Sequence, residues 1–329
     1  MPAAANRTDQ GYLNRLPVDR LPKEVVGDIF SKAKDQSVMM SLGRQIPVSI
    51  GETVLTTSDT FPEAGQVGGT TLASREGAEK PIQGIGFGTT KSFSPIKLAV
   101  IVSVSEEFAR ANPDGLYSQL STELSGAVAR AADLAVFHNR DAITGAALVG
   151  TTANSYINAT THRVELDFAA AASPDIVGQI INGVTLVEAD DDKNFDVSGF
   201  AAIPQLRAPL FNARRTDGSP IFQGEFPGSG SQINLNASYG SLLGLPLYYG
   251  RSVKGKLGAF AGTNVKMFGG DWSQMAWGFA DSIRVKVTDQ ATVGGVSMWQ
   301  TNQIAILAEA TFGWIVNDPQ AFVAYDDAS

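Results

Sequence analysis

Two stretches near the end of this chain alternate so strictly that they restrict what the rest can fold into. From about Gln303 to Val316, residues Ile304, Ile306, Ala308, Ala310, Phe312, Trp314 and Val316 fall on one face. Strand side chains point to opposite faces in turn, so a period of two over this length predicts one unbroken strand. At about 3.3 Å per residue it is roughly 46 Å long, well beyond the usual strand. Before it, Ile283, Val285 and Val287 alternate with Arg284 and Lys286 in a second strand, and Gly294-Gly295 supplies a turn between the two. Asn317-Asp318-Pro319 closes the pair, and a short apolar tail, Ala321-Phe322-Val323, follows. A strand of this length requires an elongated, plate-like subunit, a shape suited to paving a surface.

The remaining composition narrows the chemistry. Hydrophobic residues make up 43% of the 329, enough for a packed core. The net charge of −8 argues against a nucleic-acid binder held by bulk electrostatics. Cysteine is absent, which excludes thiolate catalysis, disulfides and cysteine-based zinc sites, and says little about compartment. The opening MPAAANRTDQ has no apolar signal region and no run approaches a membrane span, so the chain is read as soluble and intracellular when made. The glycosylation-type triplets at Asn6, Asn158 and Asn236 are then chance matches.

Residues 1–46 read as an arm punctuated by Pro2, Pro17 and Pro22, with a short amphipathic helix over Lys23–Lys34. Arg7, Arg15, Arg20 and Lys23 outnumber Asp9 and Asp19 there. Residues 47–95 form a long glycine-rich hairpin: Gly51 to Gly88 holds eight glycines in 38 residues and too few large apolar side chains for a core. Such a segment is either a surface loop or an arm stabilised by a neighbouring subunit. Ile96, Leu98, Val100, Val102 and Val104 alternate as a strand, and Ser103–Ala111 is expected to be a short helical turn. Asn112-Pro113 starts a helix running to about His138. Its apolar stripe is Leu116, Leu120, Leu124, Ala127, Ala131, Leu134 and His138. About 26 residues at 1.5 Å each span roughly 39 Å, which matches the long strand. A helix lying lengthwise on a long sheet gives a flat α+β domain. Residues 166–261 look like an inserted module, with a helix from Pro174 to about Ala189, a strand at Val197–Ile203, a helix at Pro204–Arg215, a turn at Thr216–Ser219 and a strand at Leu242–Tyr249.

No catalytic, cofactor-binding or metal site emerges, and no cofactor is expected. The only histidines are His138 and His162, and no nucleophile elbow accompanies them. His138 ends a helix, where a cation suits the dipole, so its expected role is structural. Gly84-Ile85-Gly86-Phe87-Gly88 lacks the Lys-Ser/Thr of a phosphate loop. Asp190-Asp191-Asp192 lacks the spacing of a calcium loop and reads as a solvated turn. Trp272, Trp277, Trp299 and Trp314 lie on or beside the terminal strands and are expected in the core.

The order of elements resembles the major capsid proteins of tailed bacteriophages, the Hong Kong 97-type fold. The resemblance runs from Leu21-Pro22-Lys23-Glu24-Val25-Val26, through the glycine-rich hairpin and Lys97–Val100 to Ser105–Phe108 ahead of the long helix, to Gly269-Gly270-Asp271-Trp272. It ends at Val316-Asn317-Asp318-Pro319-Gln320-Ala321-Phe322, similar to a common ending in that family. It implies an α+β subunit with four regions: an N-terminal arm (1–46), an extended loop (47–95), a peripheral domain with a spine helix (96–165 and 262–317), and an axial domain (166–261 and 318–329). It shifts the hairpin towards an intersubunit arm. The implied function is structural, with no enzyme activity: self-assembly as hexamers and pentamers of an icosahedral head enclosing double-stranded DNA. The implied partners are further copies, a separate scaffolding protein, a portal, a decoration protein, and DNA held by weak non-specific contact from the arm's basic residues or from Arg284 and Lys286. The protein would then be a virion component assembled in the host cytoplasm. Some relatives form Lys–Asn crosslinks between subunits. Lys80 and Lys91 lie in or near the loop and Asn317 near the end, but no alignment assigns them to that chemistry, and a crosslink is not among the expectations. The rival readings are an encapsulin-like compartment shell and an α+β enzyme.

Overall fold

The computed structural model describes residues 37–55, 64–67, 78–80, 82, 91–107, 113–148, 155–167, 176–189, 193, 195–212 and 239–327. The expected helix at 23–34, the stretch 84–88, the acidic cluster 190–192 and the turn at 216–219 lie outside them.

In chain order the elements are α1 (Val38–Leu42), β1 (Arg44–Gln45), β2 (Thr53–Leu55), β3 (Lys91–Phe93), β4 (Ile96–Ser105), α2 (Pro113–His138), β5 (Arg163–Leu166) and α3 (Ile176–Glu188). Then come β6 (Gly199–Ala202), α4 (Arg207–Asn212), β7 (Tyr239–Leu242), β8 (Leu245–Tyr249) and β9 (Val265–Gly270). The last are β10 (Met275–Thr288), β11 (Thr292–Val293), β12 (Val296–Ser297), β13 (Gln303–Val316) and β14 (Phe322–Asp327). They build two main sheets, one ordered β1-β10-β13-β4 and the other β5-β14-β9-β6-β8-β7.

The long strands form where the alternation places them. β13 pairs antiparallel with β10 on one side and with β4 on the other. Ile304, Ile306, Ala308 and Ala310 are buried, and Val285 and Val287 join them from β10, while Arg284 and Lys286 face water. Two register shifts near Asp281 bend β10, as bulges do. Gly294 and Gly295, both with positive φ, turn β11 into β12. β4 stays in unbroken register with β13 through Ser105, so the helical turn expected from Ser103 begins only at Glu106.

α2 has the expected 26 residues, but its buried surface is not one stripe. Leu120, Leu124 and Val128 pack on Val285, Val287, Ile304 and Ile306 of the four-stranded sheet. Further on, Ala132, Ala135, Val136 and Phe137 enter the larger core with Phe200, Phe268 and Phe322. The ring of Phe137 stacks on Phe268 at 5.4 Å and meets Trp272 edge-on at 6.3 Å. The helix end is wedged between elements on several sides, so Val128 and Ala132 are buried while Ala127 and Ala131 of the expected stripe are half-buried.

The six-stranded sheet departs from expectation in several places. The apolar run Leu242–Tyr249 is a hairpin and not one strand: Leu243 and Gly244, at φ 53 and 84, turn β7 into β8. β6 is shorter than expected, and the helix expected at Pro204–Arg215 is a 3₁₀ turn at Pro204–Leu206 followed by α4. On α3, Ile181 is exposed and Gly183 faces the core, where a Cβ would fall 2.3 Å from the Tyr325 hydroxyl oxygen. That hydroxyl donates to the Ile180 carbonyl at 2.8 Å. β5 and β9 pair with β14, so 163–166 and 265–270 belong with the inserted module's sheet.

Candidate functional site

The two histidines do not make an active site. His138 is buried, its Nε2–H donates to the Val253 carbonyl at 2.9 Å, and rings of Phe137, Phe260 and Phe268 surround it. Burial first, then the charges of Arg140 and Arg163, push it down to about 4 against the pull of that hydrogen bond. It is neutral at pH 7, so the expected cation at the helix end is absent. His162 serves through its backbone: its carbonyl accepts from Ala324 and its amide donates to the Thr160 hydroxyl. Among the described residues no group of acidic or imidazole side chains could hold a metal ion, and no helix is long and apolar enough to cross a membrane.

A buried acid lies five residues before His138. Asp133 accepts the Ser37 hydroxyl at 2.5 Å and the amides of Val38 and Met39 at 3.3 Å each. The Ser252 hydroxyl also bonds to it. Desolvation pushes its carboxyl up to about 6, although each hydrogen bond pulls the other way. Ser37 caps α1, so Asp133 ties that short helix to α2. Nothing in the sequence pattern marks this residue, since an aspartate inside a helix usually faces water.

Surfaces for association are better developed. The base of the glycine-rich segment is the antiparallel pair β2–β3. Phe93 of β3 packs with Ile315, Ala276, Ile46 and Val48 on the sheet face opposite α2. Gly313 permits this approach, because a Cβ there would lie 2.8 Å from the Phe93 ring. The Lys91 ammonium donates to the main-chain carbonyl of Asn317, not to its side chain.

On the other side, a groove of about 780 Å³ runs between β4, α2 and the 141–148 loop. Leu98, Val100, Ala127, Ala131, Ile143 and Leu257 line it, and Ile143 is 76% exposed. Among the described residues the outer edge of β4 pairs with no strand, and Ile101 is exposed on the face of β4 away from Leu98 and Val100. Of the four tryptophans, Trp272, Trp277 and Trp314 are buried as expected, but Trp299 is 72% exposed beyond β12. Met298, which carried no expectation, is buried in its place. Arg284 pairs with Asp281 of its own strand, and Lys97 pairs with Glu309 at 3.3 Å.

The sequence matches the phage capsid family over residues 20–327. This chain belongs to that family. It is 28% identical over 318 residues to the probable major capsid protein gp17 of Mycobacterium phage D29, covering 92% of this chain and 89% of that protein. A solved chain from Gordonia phage Cozz is 32% identical with a TM-score of 0.68, covering 89% of this chain and 87% of that one. One from Mycobacterium phage Ogopogo is 27% identical with a TM-score of 0.66, covering 89% and 92%. The fold is the Hong Kong 97-type α+β capsid fold, and the chain is a structural capsid protein, not an enzyme. Capsid proteins self-associate and are components of the virion. The encapsulin-like reading is not favoured, since the relatives are phage capsid proteins.

Proposed function

We propose that this chain is the repeating subunit of an icosahedral head enclosing double-stranded DNA, assembled in the host cytoplasm as hexamers and pentamers. The observation that supports the reading is apolar surface left open among the described residues: the groove beside β4, Ile101 on the opposite face of that strand, and Trp299. Isolated exposed side chains are ordinary, but a groove beside a strand edge that is unpaired among the described residues is a surface suited to contact. Within this reading residues 1–46 are the arm and 47–95 the extended loop. The four-stranded sheet with α2 is the peripheral domain, and the six-stranded sheet, with 163–166 and 265–270 added, is the axial domain. A separate scaffolding protein, a portal and a decoration protein complete the partners. DNA is held by confinement, with weak contacts from the arm or from Arg284 and Lys286 that vanish at moderate salt.

Sedimentation and electron microscopy of the concentrated protein test this. Rings or closed shells are expected, with interfaces of standard size or larger. Only a compact monomer, across salt, pH and added scaffold, would refute it. DNA retention across a salt series tests the confinement reading, which sequence-specific binding at high salt would overturn.

A further inference from the structure

β4 has two unlike halves. Residues 96–100 form a wall of the groove beside α2 and the 141–148 loop, whereas 101–105 line none of it. The direction of its main chain follows from its pairing. Register with β13 is unbroken from Ile96 to Ser105, and the Glu106 amide then donates to the Asn302 carbonyl at 3.0 Å. In an antiparallel pair, residues bonded to the neighbouring strand alternate with residues whose N–H and C=O point away from it. The even-numbered residues of β4 therefore bond to β13. The main-chain groups of Lys97, Ala99, Ile101, Ser103 and Ser105 point out of the sheet edge, and among the described residues no strand meets them. Lys97 and Ala99 line the groove although their side chains lie on the opposite, exposed face, so it is their main chain that the groove exposes. Ile101 is the middle one of the five and is 51% exposed.

We propose that two copies of this chain join β4 to β4 as an antiparallel pair about a two-fold axis at Ile101, each placing its free half in the other's groove. The pairing rests on the reading that the chain assembles, and adds how two copies meet. An open strand edge is a template for another strand, and a two-fold contact needs one patch that fits itself. With Ile101 opposite Ile101, Ala99 meets Ser103 of the second copy and Lys97 meets its Ser105. All five residues then fall in bonded pairs, no like charges oppose, and the exposed Ile101 gains an apolar neighbour. On the other face, Val102 and Val104 of the second copy come opposite Val100 and Leu98 and fill the apolar groove, whose walls include Ala127, Ala131 and Ile143. The acidic turn Glu106-Glu107 that follows brings negative charge towards a groove that also holds Arg130, an exposed cation with no ion pair among the described residues. A helix in this groove would leave the edge N–H and C=O groups unpaired, whereas an extended chain satisfies them.

The chain has no cysteine, so single cysteines report the contact. Ile101→Cys and Ser105→Cys, both at exposed positions, are assembled and treated with a short thiol-to-thiol cross-linker. In the proposed pair the two Cα atoms at position 101 lie about 5.5 Å apart, while the two at position 105, eight residues apart along the ladder, are about 27 Å apart. Ile101→Cys particles should yield covalent dimers and Ser105→Cys particles none. Particles mixed from Lys97→Cys and Ser105→Cys copies should yield dimers joined between those two positions, which fixes the register. Assembled particles that lack the dimer at 101 or the mixed dimer, or that show dimers at 105 as abundant as those at 101, overturn the pairing and leave the assembly reading intact. A chain that stays monomeric at every concentration overturns both.

Discussion

Along β13, burial alternates from Ile306 to Phe312, with Leu307, Glu309 and Thr311 half-open on the far face; along β6 and the first four residues of β14, every residue is buried. Among the described residues the four-stranded sheet is covered by α2 on one face and by the β2–β3 base over one end of the other. The six-stranded sheet has its core completed within the chain by α3, the end of α2 and the 251–254 turn. One sheet is a platform with surface to spare, and the other is a finished core. The same subunit can therefore be stable alone in one half and depend on neighbours in the other.

Substitutions should separate the two. Phe137→Ala opens the finished core between Phe268 and Trp272 and should cost about 3–5 kcal/mol in denaturant melts. Leu124→Ala, on the platform side, should cost about 2–5 kcal/mol, with the subunit losing solubility before it loses partner specificity. Unchanged melting of a soluble Leu124 variant would mean that this helix face is not held by the sheet. Trp299→Ser should leave unfolding within about 0.5 kcal/mol of wild type while lowering the yield of assembled particles, because exposed aromatics dominate interfaces. A Trp299 variant that melts early but assembles normally would erase the contrast between the halves.

The platform was legible in the sequence and the finished core was less so, for a physical reason. A half-covered sheet writes its geometry as alternation, which fixed β4, β13 and the covering helix to within a residue or two. A sheet buried on both faces writes only apolar runs, which carry no register. β7 and β8 read as one strand because the Leu243-Gly244 turn lies inside one apolar run. Trp299 shows the converse: chemistry favoured the core, but the turn after β12 carries the side chain outward. Asp133 and the 251–254 turn were invisible because they meet across more than a hundred residues, and no local pattern encodes such a contact.

The sheet orders have a consequence for timing. β13 lies between β10 and β4, and β14 lies between β5 and β9, so strands near the end of the sequence fill interior positions in both sheets. β4 and β5 are synthesised long before the strands they pair with. Until residues 303–327 have left the ribosome neither sheet can be completed, so the long-range pairings with β4 and β5 come late, at high contact order. A chain built this way completes both sheets only once residues 303–327 are in place.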